Sequence, residues 1–289
     1  MQWHSIQQQI QDQVGNAFEV EHARAISGGC INQGYCLSGR GQTYFVKLNA
    51  AHRVDMFAAE AAGLQALAAA NAIRVPQPIC WGAAESAYLV LEYMPLSSQG
   101  EQSSLGEAIA ALHQVTQAQF GWHRHNTLGL TPQHNTPCDD WVTFYAQSRL
   151  QPQLALAADN GGAAVGERGA RLVEHLAAFF TDYQPQPSLL HGDLWSGNYA
   201  FDEQARPVIY DPAVYFGDRE ADIAMTTLFG GFSAAFYAGY AAVYPLDPGY
   251  ETRKTLYNLY HILNHYNLFG GGYLAQAGRM IDQLLSTIK

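Results

Sequence analysis

Cysteine and positive charge are both scarce in this chain. Only four of its 289 residues are cysteine, and none forms a C-x-x-C pair or has structural-zinc spacing. We therefore expect a reduced protein of the cytosol that needs neither disulfides nor zinc. Lysine and arginine number 15 against 25 aspartates and glutamates, which gives a formal net charge of −10. This balance argues against nucleic acid as a partner, because such affinity comes largely from basic contacts to phosphate.

Long hydrophobic runs and targeting segments are also missing from the sequence. Residues 1–7 contain neither a basic nor an apolar region, so they predict no signal peptide. The longest alanine-rich run, residues 57–70, is interrupted by Glu60 and Gln65, and no segment is apolar enough to span a bilayer. Apolar residues make up 48% of the chain, enough for a sizeable core. We expect a cytoplasmic protein with no membrane partner.

The secondary-structure pattern changes near residue 95. Before it, short apolar runs separated by glycine-containing turns predict strands, together with an N-terminal amphipathic helix and a helix over residues 55–70. After it, helical patterns dominate, in segments 105–115, 139–156, 168–180, 222–229, 234–243, 251–269 and 275–288. We therefore predict an α+β protein of two lobes, a strand-rich lobe over residues 1–95 and a mostly helical lobe over residues 96–289, with nucleotide held at their junction.

A set of polar side chains in the C-terminal part carries the strongest chemical signal. In H-G-D-L-W-S-G-N, residues 191–198, the carboxylate of Asp193 precedes the amide of Asn198 by five positions, and Asp211 ends a later apolar run. Phosphoryl transfer from ATP uses such a set: one Asp accepts the proton of the attacking hydroxyl, while an Asn and another Asp bind Mg²⁺ on the phosphates. The order matches H-R-D-x-x-x-x-N and D-F-G of kinases, with Gly192 in place of Arg. We predict Asp193 as the catalytic base and Asn198 and Asp211 as metal ligands.

The N-terminal part contains a candidate clamp for ATP. Gly28 and Gly29 lie in a loop between strand-like segments, where backbone lacking Cβ atoms can approach phosphate closely. Lys47 would be a poor choice inside a buried strand unless its ammonium had a partner, and kinases pair such a lysine with phosphates and a helix glutamate. Glu60 is the candidate glutamate. The alternatives are a simple hairpin turn, a lysine that extends to solvent, and a glutamate on a solvated helix face.

A possible hinge follows the last predicted strand of the N-terminal part. Glu92, Tyr93 and Met94 come after a buried apolar run and just before the change in composition. Their backbone N–H and C=O groups could pair with the edge of adenine. We predict that they bind the nucleotide, the alternative being an ordinary strand end.

Cys30 lies inside the glycine loop. Backbone dipoles and a nearby Lys47 would lower the pKa of its thiol and make it more reactive. We hypothesise an oxidation-sensitive thiol that can form a redox-dependent disulfide, the alternative being a small residue that fits a turn.

Together these residues resemble the fructosamine kinases, also called ketosamine-3-kinases, relatives of the aminoglycoside phosphotransferases and choline kinases. The discriminating residue is Trp195, because the wider group shares H-G-D and the later Asn and Asp but usually not this tryptophan. The resemblance covers essentially the whole chain, including residues 28–31, 45–47, 120–123, 139–141, 209–213 and 229–232. It implies a protein-kinase-like fold, with an antiparallel sheet and a helix in the N-terminal lobe.

The resemblance also implies an activity and further residue roles. The expected reaction is ATP-dependent phosphorylation of the 3-hydroxyl of a fructosamine or ribulosamine, free or on a protein lysine, whose unstable 3-phosphate then releases the amine. Trp195 would offer an apolar face to the sugar ring, or else act as a structural plug under its loop. Asp222 would brace the catalytic loop through backbone N–H groups.

Two other functions and one histidine pair stay open at this point. A related phosphotransferase with an aminoglycoside or amino-alcohol acceptor would keep the same catalytic residues, and a non-catalytic module would only bind nucleotide. His261 and His265 lie one helical turn apart, and we predict core or surface histidines, the alternative being that His261 lines the acceptor pocket.

Overall fold

A computed structural model describes residues 2–26 and 31–288 of the chain. These residues belong to two compact units. The first unit combines Met1–Glu101 with Tyr199–Pro212, and the second combines Gln102–Asn198 with Ala213–Lys289. A short segment after the H-G-D motif thus folds with the N-terminal residues.

Helices and strands alternate unevenly along the chain. The α-helices of the described residues are α1 (Gln2–Val14), α2 (Val54–Ala69), α3 (Gln102–His113), α4 (Trp141–Tyr145), α5 (Gln151–Ala157), α6 (Ala163–Glu174), α7 (Glu220–Leu228), α8 (Ala234–Val243), α9 (Tyr250–Phe269) and α10 (Tyr273–Thr287). The strands there are β1 (His22–Ile26), β2 (Gln33–Gly39), β3 (Gln42–Ala50), β4 (Pro78–Ala83), β5 (Ser86–Glu92), β6 (Asn126–Leu128), β7 (Thr131–Gln133), β8 (Ser188–Leu190), β9 (Tyr199–Phe201), β10 (Pro207–Ile209) and β11 (Tyr215–Gly217).

The first unit is built on an antiparallel sheet with the strand order β1-β2-β3-β5-β4. Side chains of a strand alternate between the two faces of its sheet. Val46 and Leu48 of β3 therefore join the hydrophobic core under α1, whereas Lys47 points to the other face, where α2 packs against β4 and β5. The core under α1 consists of Ile6, Ile10, Phe18, Leu37, Tyr44, Val46, Leu48, Cys80, Tyr88 and Val90.

A small hairpin of β9 and β10 completes the first unit. The Ile209 N–H donates to the Arg74 carbonyl at 3.1 Å, and Ser97 and Phe201 exchange backbone hydrogen bonds at 2.9 Å. Because β10 is held in this way, the residues that follow it, including Asp211, belong to the same unit as β3 and α2.

The second unit is mostly helical and depends on close helix contacts. A Cβ atom at Gly106 of α3 would lie 2.1 Å from the Phe236 carbonyl oxygen, and one at Gly239 of α8 would lie 2.2 Å from the Ser103 carbonyl oxygen. Only glycine allows the two backbones to approach this closely. Helix α9 packs against α7 and α10, and the antiparallel pair of β8 and β11 precedes and follows the residues of the H-G-D motif.

The predicted α+β class, with an antiparallel N-terminal sheet and helix and a mostly helical C-terminal part, is confirmed. The helix predicted over residues 139–156 is instead α4 and α5 joined by a π-helical turn, and α4 begins after Asp140, whose side chain accepts from the Thr143 N–H. The helix predicted to reach residue 180 ends at Glu174 and is followed by a 3₁₀ turn. None of the helices in the described ranges is long and apolar enough to cross a membrane.

Candidate active site

Lys47 is the centre of a charge cluster in the first unit. Its side chain is 6% exposed, and its ammonium lies 2.5 Å from Glu60 Oε1 and also contacts the Asp211 carboxylate. Burial disfavours the ammonium, but the two carboxylates outweigh it and raise the pKa of Lys47 above its usual value. Burial raises the pKa of the Glu60 carboxyl, against the attraction of Lys47. The structure thus brings together three of the residues singled out from the sequence.

Asp211 has an unusual backbone conformation. Its φ is +58°, in the left-handed region that non-glycine residues seldom adopt. About half of its side chain is exposed, in contrast to that of Lys47. A strained backbone at a polar residue is typical of functional sites, where surrounding structure maintains it. The β9–β10 hairpin supplies that surrounding structure here.

The structure describes the glycine loop before residue 27 and from Ile31 onward. Gly28, Gly29 and Cys30 lie outside the described residues, so their predicted roles stay predictions. Beyond them, the Asn49 amide donates to the Ile31 carbonyl at 3.2 Å and to Asn32 Oδ1 at 2.7 Å. These bonds hold the end of the loop against β3.

The predicted hinge is tied to its own sheet by backbone and side chain. The Glu92 N–H donates to the Gln77 carbonyl at 2.8 Å, and its carboxylate lies 3.0 Å from Arg74. Arg74 also lies 2.8 Å from Asp202, at the end of the β9–β10 hairpin. Arg74 was not identified from the sequence, because Asp202 is 128 positions away in the chain and no motif marks Arg74.

Asp222 organises the backbone of the H-G-D motif in the second unit. Its carboxylate accepts the His191 N–H at 2.7 Å and the Gly192 N–H at 2.8 Å, and it lies 3.2 Å from His113 Nε2. Burial opposes ionisation, but the contacts with His113 and with the backbone outweigh it and lower the pKa of Asp222. The bracing contact predicted for Asp222 is confirmed. The contact of Asp222 with His113 was not predicted, because the two residues are 109 positions apart and no sequence motif links them.

Asn198 holds Asp193 inside the second unit. Its amide nitrogen donates to the Asp193 carbonyl at 2.8 Å and to Asp193 Oδ2 at 3.2 Å, and its N–H donates to the Trp195 carbonyl at 2.9 Å. These bonds close residues 193–198 into a compact loop.

Asn198 also has a side-chain oxygen that could bind a metal ion. Its amide nitrogen is turned to Asp193, so the other polar atom of the side chain is this oxygen. Amide and carboxylate oxygens are the ligands that Mg²⁺ prefers, so Asn198 and Asp211 have the donor chemistry for it.

Trp195 lies at the surface of this loop. Its side chain is 36% exposed, and its ring covers Gly197, where a Cβ atom would meet the ring at 2.2 Å. The ring also makes an edge contact with Phe229, at a centroid distance of 6.2 Å. The partly exposed ring of Trp195 therefore lies in the same short loop as Asp193.

Gly192 is required by the geometry of the motif. Its φ is +82°, and a Cβ atom would lie 2.1 Å from the Ala213 carbonyl oxygen. We expect Gly192→Ala to lower the free energy of unfolding by roughly 3 kcal/mol or more, because backbone must move. Gly15→Ala is the control, since Gly15 has φ +70° with nothing within 4 Å, and should cost about 1 kcal/mol. Urea denaturation measures both; equal losses would contradict the steric explanation.

His261 is a core residue, as predicted, with 5% exposure. Burial lowers its pKa to about 3. Between pH 6.5 and 3 the unfolded chain takes up a proton that the folded chain does not, so this group lowers stability as pH falls below 6.5. We expect a loss of about 2 kcal/mol from pH 7 to pH 5 that is absent in His261→Phe. Urea denaturation at both pH values tests this, with exposed His52→Gln as the control; an unchanged pH dependence in His261→Phe would contradict it.

Comparisons with known proteins agree over nearly the whole chain. A family model described as fructosamine kinase matches residues 2–287. A Synechocystis protein named "Probable ketoamine kinase" is 53% identical over 287 residues, covering 98% of this chain and 97% of that protein. An Arabidopsis thaliana protein named "Protein-ribulosamine 3-kinase, chloroplastic" is 42% identical over 281 residues, covering 95% and 86%. A crystal structure from Haemophilus somnus, provisionally named a fructosamine-3-kinase, matches with a TM-score of 0.89 at 32% identity, covering 98% and 97%.

Proposed function

The chain belongs to the fructosamine kinase family, and we propose that it phosphorylates the 3-hydroxyl of ketosamines with ATP. The observation that carries this proposal is the ordered loop of residues 191–198. Its backbone is held by Asp222, and its Asp193 is held by Asn198. A carboxylate fixed in this way is suited to accept a proton from an alcohol.

The proposed reaction assigns Asp193 to the acceptor hydroxyl. As the hydroxyl oxygen forms a bond to the γ-phosphorus of ATP, the bond from that phosphorus to the bridging oxygen breaks and ADP leaves. The hydroxyl proton passes to Asp193. Catalysis of this kind rests on positioning and on compensation of charge more than on covalent chemistry.

The proposed nucleotide residues are those of the first unit. Lys47 carries a fixed positive charge for the phosphates, and Glu60 holds its ammonium in place. Gly28 and Gly29 would contact phosphate through the backbone, and Glu92, Tyr93 and Met94 would contact adenine. We also propose that the chain divides near residue 95 into a strand-rich lobe that binds nucleotide and a mostly helical lobe, because the secondary-structure pattern changes there.

Mg²⁺ is proposed as the metal of the reaction. Asn198 and Asp211 would bind it through their side-chain oxygens. When bound, Mg²⁺ neutralises charge on the phosphates.

The acceptor is proposed from the names of the relatives, which include a ketoamine kinase and a protein-ribulosamine 3-kinase. A 3-phosphorylated ketosamine is unstable and breaks down with release of the amine. Phosphorylation would therefore remove a sugar from a small amine or a protein lysine. Trp195, exposed beside Asp193, is the proposed contact for the sugar ring.

The decisive experiment measures Mg²⁺- and ATP-dependent ADP release with a ribulosamine, a fructosamine and an aminoglycoside side by side. Turnover of a ketosamine supports the proposal, and the ratio of the two kcat/KM values gives the sugar preference. Turnover of the aminoglycoside alone would keep the catalytic residues and overturn the acceptor. Absence of turnover with all three would overturn the proposed activity.

A further inference from the structure

A continuous series of aromatic rings leads away from Trp195 across the second unit. We call Trp195, Phe229, His265, Phe269 and Tyr273 the aromatic row. The ring centroids are 6.2 Å apart for Trp195 and Phe229 and 4.9 Å apart for Phe229 and His265. His265 in turn lies 5.7 Å from Phe269 and 5.2 Å from Tyr273.

Three of the five members of the row are unusually exposed for large apolar side chains, whereas His265 and Tyr273 are half-buried. Phe229 is 41% exposed and Phe269 is 54% exposed, beside Trp195 at 36%. Single exposed apolar residues need no explanation, but rings in mutual contact that begin at a catalytic loop mark a binding surface. The row starts at Trp195, two residues after Asp193. A substrate that lies along the row would therefore have one end close to the proposed catalytic base.

The row contains no positively charged side chain at pH 7, and its aromatic rings can bind a cation. Burial lowers the pKa of His265, whose Nδ1 lies 2.8 Å from the His261 carbonyl oxygen, so its ring stays neutral at pH 7. The other members of the row are neutral aromatic side chains, whose faces attract ammonium groups.

We propose that the aromatic row binds the amine portion of the substrate, namely the secondary ammonium and the alkyl chain of a glycated lysine. The inference rests on the proposed function, because a ketosamine carries its amine next to the sugar. With the sugar at Trp195, the ammonium lies against the first rings of the row and the lysine methylenes against Phe269. The row therefore selects ketosamines of long apolar amines over those of short amines.

The test compares two ribulosamines that share the sugar and the ammonium, one made from methylamine and one from Nα-acetyl-lysine methylamide. We expect a lower KM for the lysine compound. Phe269→Ala should raise that KM about fivefold and leave kcat and the methylamine KM unchanged, since it removes only apolar contact. Leu156→Ala, which removes a 37% exposed leucine of α5, is the matched control and should change neither KM.

Failure of this inference is distinguishable from failure of the proposed function. Equal KM values for the two compounds, or a Phe269→Ala effect on both, would overturn the role of the row while the kinase activity stands. If neither compound turns over, calorimetric binding of both to wild type and Phe269→Ala decides. Tighter binding of the lysine compound that is lost in the variant supports the row, and equal binding overturns it.

Discussion

Replacement of Asp193 by asparagine is expected to lower kcat about 10²- to 10⁴-fold, with ATP affinity unchanged. The amide keeps the size of the carboxylate and an oxygen that can accept the Asn198 hydrogen bond, but it cannot take up the hydroxyl proton. The loss should therefore appear in the chemical step. Steady-state turnover of a ribulosamine and calorimetric titration with ATP measure the two quantities.

The control for this variant is Asp159→Asn, which makes the same chemical change at an exposed position of the second unit. It should leave kcat and ATP affinity as in wild type. A kcat in Asp193→Asn within tenfold of wild type would assign the base to another residue. A parallel loss of ATP binding would instead indicate that the substitution disorders residues 193–198.

The features that could be predicted from the sequence are mostly those whose signals lie close together in the chain. The strands β3 and β5 and helix α8 follow from residue patterns within a short window of sequence. The brace Asp222 was expected only because the chain resembles a known family, and its contact with the His191 N–H lies 31 positions away in the sequence. The partner of Lys47 could also be predicted, because Glu60 is flanked by alanines in its helix. In the structure its carboxylate lies 2.5 Å from the Lys47 ammonium.

The missed features depend on residues far apart in the chain. Arg74 reaches Asp202 across 128 positions, and His113 reaches Asp222 across 109. The strands β6, β7, β9, β10 and β11 have three residues each, too few to show a period. No sequence window contains both members of such a contact, so only the folded chain reveals them.

Lys47→Met is expected to damage stability and activity together. The substitution leaves the carboxylates of Glu60 and Asp211 without the buried ammonium between them. Removal of one partner from a buried ion pair costs about 3–5 kcal/mol. Loss of the positive charge that we assign to the phosphates should lower kcat/KM for ATP by about 10²-fold or more. Urea denaturation and initial rates at varied ATP measure these effects, but the single variant does not separate them.

The double variant Lys47→Met/Glu60→Gln separates stability from catalysis. Neutralising Glu60 removes the charge of the more buried of the two carboxylates, so most of the lost free energy of unfolding should return. Activity should not return, because no ammonium is restored. Glu60→Gln alone keeps Lys47 paired with Asp211 and should retain more activity than either lysine variant. If the double variant recovers both stability and kcat/KM for ATP, Lys47 serves the fold and the phosphate contact lies elsewhere. If it recovers stability alone, the buried ammonium acts on the nucleotide.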